Sequence, residues 1–408
     1  MNTLGKRTTS ESDYATNESN GRVSEEEGIF MSLANINPRP RFTQQLVARR
    51  IFAQEPLVVV DIGARGGFEQ LWSAYGDQVK LVGFEADARE CDRLNQQEFG
   101  AAKRFFPVAL HRDKALRRFH VTAFPPSCGF YPADMRFVRR FPDEINLRVV
   151  KTVEMDTVDF DTYAAGSHID GVDFIKLDTE GSELDILKGA IATLRRTVIG
   201  LSVEAEFLQW HVDQPVLSDV DLFLRPLGFR LYDIAIYRHT RKSLPVVPPW
   251  AIPGSTARGQ VIWGQALYLR DGVDEIEHSS LLECGWDNVK ILKLASLMEM
   301  FYLHDCAIEL IQSARRKEYL RIDEVDHFID LLVPTLSGDR EVSYQEYLDS
   351  LSQGKEVSYQ EQLESLGLSK HAGTLDKMQY AKKFVPRPFR HIIGYCLVKV
   401  RDSINEVL

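Results

Sequence analysis

Between Leu57 and Arg270, short apolar runs alternate with stretches whose apolar positions recur every three or four residues, and that alternation leaves few folds open. The first run, Leu57 to Ile62 (LVVVDI), is continuous, the pattern of a parallel strand covered on both faces. Leu81 to Phe84, Phe105 to Leu110, Arg118 to Ala123, Val172 to Leu177, Ile199 to Ala205, Phe229 to Tyr237 and Gln260 to Arg270 read as further strands. Between them Ala88 to about Phe99, Ser182 to Leu194 and Val216 to Leu224 read as helices, and a helix over Phe42 to Phe52 leads into the first strand. Such a sequence predicts an α/β fold: an open, mostly parallel sheet with helices on both faces.

Flanking regions differ in composition. Residues 1–38 are rich in Ser, Thr, Asn and Glu and too poor in apolar groups to offset the entropy of ordering, so they read as a disordered leader. No apolar stretch in it suits a secretory signal, and no run approaches the ~20 apolar residues of a membrane span. The α/β portion is assigned residues 39–272, and residues 273–408 read as a helical extension. In it Val289 to Ser313 and Asp323 to Val333 have helical spacing, and EVSYQEYLDSL is followed by a near copy, EVSYQEQLESL. Each copy holds a Ser and a Glu three residues on (Ser343 with Glu346, Ser358 with Glu361), the capping box that starts a helix. The extension is expected to make partner or homo-oligomer contacts. Its last 39 residues carry eight Lys or Arg against three acids, which suits either an anionic membrane surface or, as charge runs more often do, a solvated helix face.

Net charge narrows the function. With 49 basic and 59 acidic residues the chain carries −10, so a general nucleic-acid role is not expected. Five widely spaced cysteines indicate neither a disulfide framework nor a metal site; a reducing cytoplasmic setting fits, and no metal is predicted.

Ligands of a wound sheet collect at the carboxyl ends of its strands. There Asp61, Gly63, Ala64, Gly66 and Gly67 follow the first strand, but without the GxGxxG spacing of a dinucleotide site. A carboxylate at Asp61 repels phosphate and suits an ammonium. Glu85 ends the second strand, where an acid can take both hydroxyls of a ribose. Together these residues describe a site for S-adenosylmethionine better than one for NAD.

Val172 to Ala190, VDFIKLDTEGSELDILKGA, resembles the signature of the FkbM family of S-adenosylmethionine-dependent methyltransferases, a strand reading DFIKxDxEG that runs into a helix reading ExxxLKG. VVDIGARGG resembles that family's first motif, GFEADAREC its second, and VKTVEMDTV the strand before the signature. Arg65 stands where the family usually has Asn, and Ala86 where it often has Pro. The resemblance covers residues 55–270 and implies a Rossmann-like class I methyltransferase sheet. As substrates it implies hydroxyls of glycans or of polyketide-type metabolites.

Alternation puts Lys176, Asp178 and Glu180 on one face of their strand, and Ser202, Glu204 and Glu206 on one face of the next. Asp178 or Glu180 is the expected base for an acceptor hydroxyl, with Glu204 or His211 orienting it. The competing structural roles are an ion pair from Lys176 to Glu204, a helix cap from Glu180, packing for His211 and a core position for Trp210. Trp250, in the proline-rich segment Leu244 to Gly254, reads as part of a stiff surface connector or a lid. A scaffold that keeps the fold without turnover is the alternative to an enzyme. Acids locked in internal salt bridges would mark it.

Overall fold

The computed structural model describes residues 36–244, 259–278, 284–336 and 340–352. The leader up to residue 35, the proline-rich segment with Trp250, the second capping box and the basic tail lie outside the described residues.

Among the described residues ten strands run in chain order as β1 (Leu57–Ile62), β2 (Val79–Phe84), β3 (Ala102–Phe106), β4 (Ala109–Leu110), β5 (Ala115–Thr122), β6 (Val149–Val158), β7 (Phe174–Leu177), β8 (Gly200–Glu206), β9 (Phe229–His239) and β10 (Gln260–Arg270). Seven form one sheet in the order β3-β2-β1-β7-β8-β10-β9, and β4, β6 and β5 form a separate small sheet. Pairing is parallel from β3 to β8, while β10 runs antiparallel to both β8 and β9. Chain order reverses between β1 and β7, which makes their carboxyl ends the expected ligand crevice. One expected strand, Phe105 to Leu110, is two: Pro107 cannot donate to a ladder, so the chain leaves the large sheet at Phe106 and enters the small one at Ala109.

The helices are α1 (Arg41–Ala48), α2 (Ala88–Gln96), α3 (Met135–Val138), α4 (Phe160–Ser167), α5 (Glu183–Gly189), α6 (Ile191–Arg196), α7 (Leu217–Leu224), α8 (Gly272–His278), α9 (Asn288–Met300), α10 (His304–Arg316), α11 (Ile322–Leu332) and α12 (Tyr344–Ser352). The stretch expected as one helix over 182–194 bends at Ala190 into α5 and α6. The stretch over 289–313 breaks into α9 and α10, where Tyr302 takes φ 59°. The first capping box forms as its spacing requires: Glu346 accepts the Ser343 N–H at 2.9 Å and the Ser343 hydroxyl accepts the Glu346 N–H at 3.2 Å.

Period-two alternation along β1 divides the core in two. Val58, Val60 and Ile62 pack with α4 to α7 on one face, while Leu57 and Val59 pack with α1, α2 and α9 to α11 on the other. The helices beyond residue 272 thus share a core with the first strands. Buried polar contacts fix them there. Lys293 of α9 lies 2.7 Å from Asp173, whose carboxylate also accepts the Val58 N–H at 2.8 Å. Glu299 accepts the N–H groups of Phe42 and Thr43 at 2.8 and 2.7 Å, satisfying donors that the first turn of α1 leaves unpaired. Among the described residues no helix is long and apolar enough to cross a membrane.

Candidate active site

On the face that packs against α1 and α9, the strands turn from apolar to polar as they approach their carboxyl ends. β1 passes from Leu57 and Val59 to Asp61, β7 from Phe174 to Lys176, and β8 from Gly200 through Ser202 to Glu204 and Glu206. Cross-strand register aligns Asp61 with Lys176 and Lys176 with Ser202, and sets Gln265 of β10 opposite Glu204. Charged groups on a covered strand are costly unless paired or put to use, and this row contains both kinds.

Lys176 is the paired kind. Its ammonium lies 3.5 Å from Asp61 and 3.3 Å from Asp178. Burial alone would lower its pKa, but the two carboxylates outweigh that and hold it charged. The expected partner Glu204 is not the one it takes: Ser202 is the lateral neighbour of Lys176 on β8, and Asp61 lies beside it on β1. Burial raises the Asp61 carboxyl against the pull of Lys176, and its Oδ1 has no hydrogen-bond partner besides that long contact.

Between β1 and β2 the loop is built for close approach. Gly63 and Ala64 both donate their N–H to the Phe84 carbonyl at 3.0 Å, which folds the loop over the end of β2. Gly63 has φ 82°, and a Cβ there would lie 1.9 Å from the Asp178 carbonyl oxygen, so only glycine fits. The space its missing side chain leaves is filled by the chain leaving β7. Ala64 is buried, Gly67 has φ 99°, and Gly66 donates its N–H to Glu90 of α2 at 3.1 Å. Arg65 reaches Asp87 at 3.1 Å and Glu85 at 3.6 Å, the local salt bridge a cation at that position can make. Glu85 is 8% exposed, accepts the Asp87 N–H at 2.8 Å, and is raised by burial.

The acids past β7 and β8 are not locked. Glu180 does not follow the alternation: β7 ends at Leu177, and Glu180 sits in a turn with φ 56°, a left-handed conformation that costs an L-residue about 1–2 kcal/mol. It does not cap α5 either. That turn is tied by Glu183, which accepts the N–H and hydroxyl of Thr179 at 2.6 and 2.8 Å. Burial, then repulsion from Asp178, raises Glu180 well above the usual carboxylate range; Glu204 is raised by burial, then by Asp178 and Glu180. Glu204 Oε2 is buried without a hydrogen-bond partner. Glu206 is buried and is raised by that burial, then by Glu183. Among the described residues no Lys or Arg lies within ion-pair distance of these three acids.

His211 is 2% exposed, with its Nδ1 3.1 Å from Gln214 and 3.9 Å from Glu206, and burial pushes its pKa down to about 4. The structure places it in the wall beside Glu206. Trp210 is core, packed with Val138, Phe141, Leu147 and Ile262. Two residues of this region escaped the sequence reading. Glu69, pushed up to about 7 by burial, interacts with Lys176, Asp61 and Asp178; the signal available was an acid just after the glycine loop. Gln265 donates to the Ser202 hydroxyl at 2.8 Å while its buried Oε1 has no partner, and only the antiparallel return of β10 brings it there.

The strand ends therefore offer a surplus of carboxyl groups around one ammonium, a buried Asp61 oxygen held only by its long contact to Lys176, and an acid at the end of β2. S-adenosylmethionine, with a sulfonium, an ammonium and a ribose diol, fits that set: Asp61 suits the cationic end and Glu85 the diol. Among the described residues no group of three His, Cys, Asp or Glu side chains is arranged to hold a metal ion.

Sheet order, crevice and charge define a class I methyltransferase that uses S-adenosylmethionine. More particularly, residues 61–231 match the family model of the methyltransferase FkbM domain. No curated protein shows significant similarity to the chain. Solved structures that resemble it include precorrin-6y C5,15-methyltransferase from Geobacter metallireducens, 10% identical over 60% of this chain and 96% of that one, with a TM-score of 0.27. They also include the N-terminal domain of EvdMO1 with SAH bound (11% identical, 56% and 80% covered, TM-score 0.26). A third is M. jannaschii TYW2 in complex with AdoMet (12% identical, 56% and 76% covered, TM-score 0.22).

Proposed function

We propose that the protein is an O-methyltransferase acting on a hydroxyl of a glycan or a secondary metabolite, with a carboxylate of the Glu180 and Glu204 pair as base. S-adenosylmethionine, when bound, supplies a methyl group on an electron-poor sulfonium sulfur, open to in-line displacement. The chain's own part is to align the acceptor oxygen and take its proton. Burial and neighbouring carboxyls, Glu180 among them, raise Glu204, so it keeps a proton that a fully ionised cluster would not hold, while a neighbouring carboxylate accepts. Asp178, held by Lys176, positions the turn that carries Glu180.

The observation that carries this reading is Glu204 Oε2, buried and without a partner among acids that no cation neutralises. It also weighs against a scaffold without turnover, which would have those acids in internal ion pairs. A glycan acceptor is preferred because the long helical extension suits docking within an assembly, and a cytoplasmic setting because the four described cysteines are all free. Membrane contact through the basic tail and self-association through the helical segment complete the proposal. Flotation with anionic vesicles tests the first and sedimentation the second.

Methyl transfer from labelled S-adenosylmethionine to a panel of sugars tests the reaction. Glu204→Gln is expected to lower kcat by about 10²-fold or more with cofactor affinity kept. An unchanged kcat would remove Glu204 as base, and transfer only to nitrogen or carbon acceptors would remove the O-methyl assignment.

A further inference from the structure

A second recess lies on the other side of the Glu180 turn, between the small sheet and α5. It is a cavity of about 390 Å³ whose walls come from the loop between β4 and β5, from β5 itself and from the loop after it. The loop connects it to the site already described: a Cβ on Gly129 would lie 3.1 Å from the Glu180 carbonyl oxygen, and Ala133 bridges to His211. The recess is thus next to the turn that presents the acids.

Its lining is basic and aromatic. Arg112, Arg117 and Arg118 contribute guanidinium groups, and Phe130 and Tyr131 contribute rings. Arg117 is engaged, bound to the Asp113 carboxylate and the Thr157 hydroxyl. Arg112 is held loosely, 3.9 Å from Asp113 and 3.8 Å from Asp185. Arg118 is exposed and has no ion pair among the described residues, its cross-strand neighbour Glu154 included. His111 lies deepest, 5% exposed. Its Nε2 is 3.5 Å from Asp185, which also accepts the Tyr131 hydroxyl at 2.6 Å, and its buried Nδ1 has no partner at all.

A buried, unpartnered ring nitrogen is costly unless a ligand completes it, and a neutral imidazole can accept a hydroxyl hydrogen. Two unsaturated guanidinium groups at the mouth match an anion with several oxygens, the geometry in which arginine binds phosphate. Phe130 and Tyr131 add apolar ring surface of the kind that covers a sugar face. The volume falls in the range of small-ligand sites and exceeds what a bare phosphate needs.

We propose that this recess binds the acceptor, and that the acceptor is a sugar carrying a phosphate ester. Arg112 and Arg118 hold the phosphate, and His111 Nδ1 accepts a hydrogen bond from a sugar hydroxyl. The assignment rests on the methyl-transfer reading, since it makes the recess the acceptor side of that same site.

Calorimetry on the full-length protein tests it with glucose 1-phosphate, glucose and glucuronate as probes, and S-adenosylhomocysteine as a control for the cofactor site. Glucose 1-phosphate is expected to bind at least tenfold more tightly than glucose or glucuronate. Arg118→Gln and Arg112→Gln are each expected to weaken it about tenfold or more, the worth of one charge-assisted bond, with S-adenosylhomocysteine affinity unchanged. His111→Leu is expected to weaken glucose 1-phosphate but not inorganic phosphate. Glucose 1-phosphate binding no better than glucose, or unaffected by Arg118→Gln, overturns the proposal, and glucuronate binding equally well overturns the phosphate assignment. Should S-adenosylhomocysteine fail to bind the wild type, the methyl-transfer reading fails instead, a result separable from loss of the sugar phosphate.

Discussion

Glu180 should trade stability for function, and two substitutions separate its backbone from its carboxyl. The residue has φ 56°, where an L-residue is less stable by about 1–2 kcal/mol. Glu180→Gly removes that strain but adds conformational freedom to the unfolded chain, an offset of about 0.5–1 kcal/mol. Glu180→Ala removes the same carboxyl and keeps the strain. Burial and the neighbouring Asp178 raise the carboxyl in both cases, so its removal contributes equally to the two variants. The glycine variant is therefore expected to be more stable than the alanine variant by about 0.5–1 kcal/mol, roughly 1–4 °C in Tm for a domain of this size. Differential scanning calorimetry at neutral pH measures this, and methyl transfer measured alongside should fall in both. An alanine variant as stable as the glycine variant would refute the strained turn. Full activity in both would remove Glu180 from the site.

Other outcomes follow from the same contacts. Lys293→Met leaves Asp173 buried with only the Val58 N–H, and is expected to destabilise by about 3–5 kcal/mol in chemical denaturation, because breaking a buried pair leaves an uncompensated charge. Glu69 is raised from its ordinary range to about 7, so between those limits the folded protein keeps a proton that the unfolded chain has released. Its contribution is fully present below the unfolded pKa and is lost as pH rises through 7. Denaturation between about pH 5 and about pH 8 should show stability falling by about 1–3 kcal/mol less in Glu69→Gln than in wild type. The ionised Glu69 also attracts a cationic ligand, so S-adenosylmethionine should bind several-fold more tightly at pH 8 than at pH 6, and Glu69→Gln should flatten that dependence.

The sequence states its fold well where local pattern and tertiary burial agree. LVVVDI is buried at every position, and β1 and β10 have the expected bounds. It does not distinguish strands of the large sheet from those of the small one, because Ala115–Thr122 and Val149–Val158 have the same kind of alternation whichever sheet receives them. Pro107 was the available sign of that division. At the site, Asp61, Glu85, Asp178, Glu180 and Glu204 were legible as acids at strand ends. Who pairs with whom was not. Lys176 takes Asp61 and Asp178 instead of Glu204 because lateral register, which no single strand encodes, decides its neighbours. Glu183 ties the turn that Glu180 was expected to cap, since a left-handed residue intervenes between strand and helix.

All of this depends on the donor lying over the ends of β1 and β2. Isothermal titration of S-adenosylmethionine into the wild type, Asp61→Ala and Glu85→Ala measures that directly. A single site in the wild type and at least tenfold weaker binding in each variant are predicted, as expected for loss of a charge-assisted contact. Wild-type affinity in both variants would contradict the account.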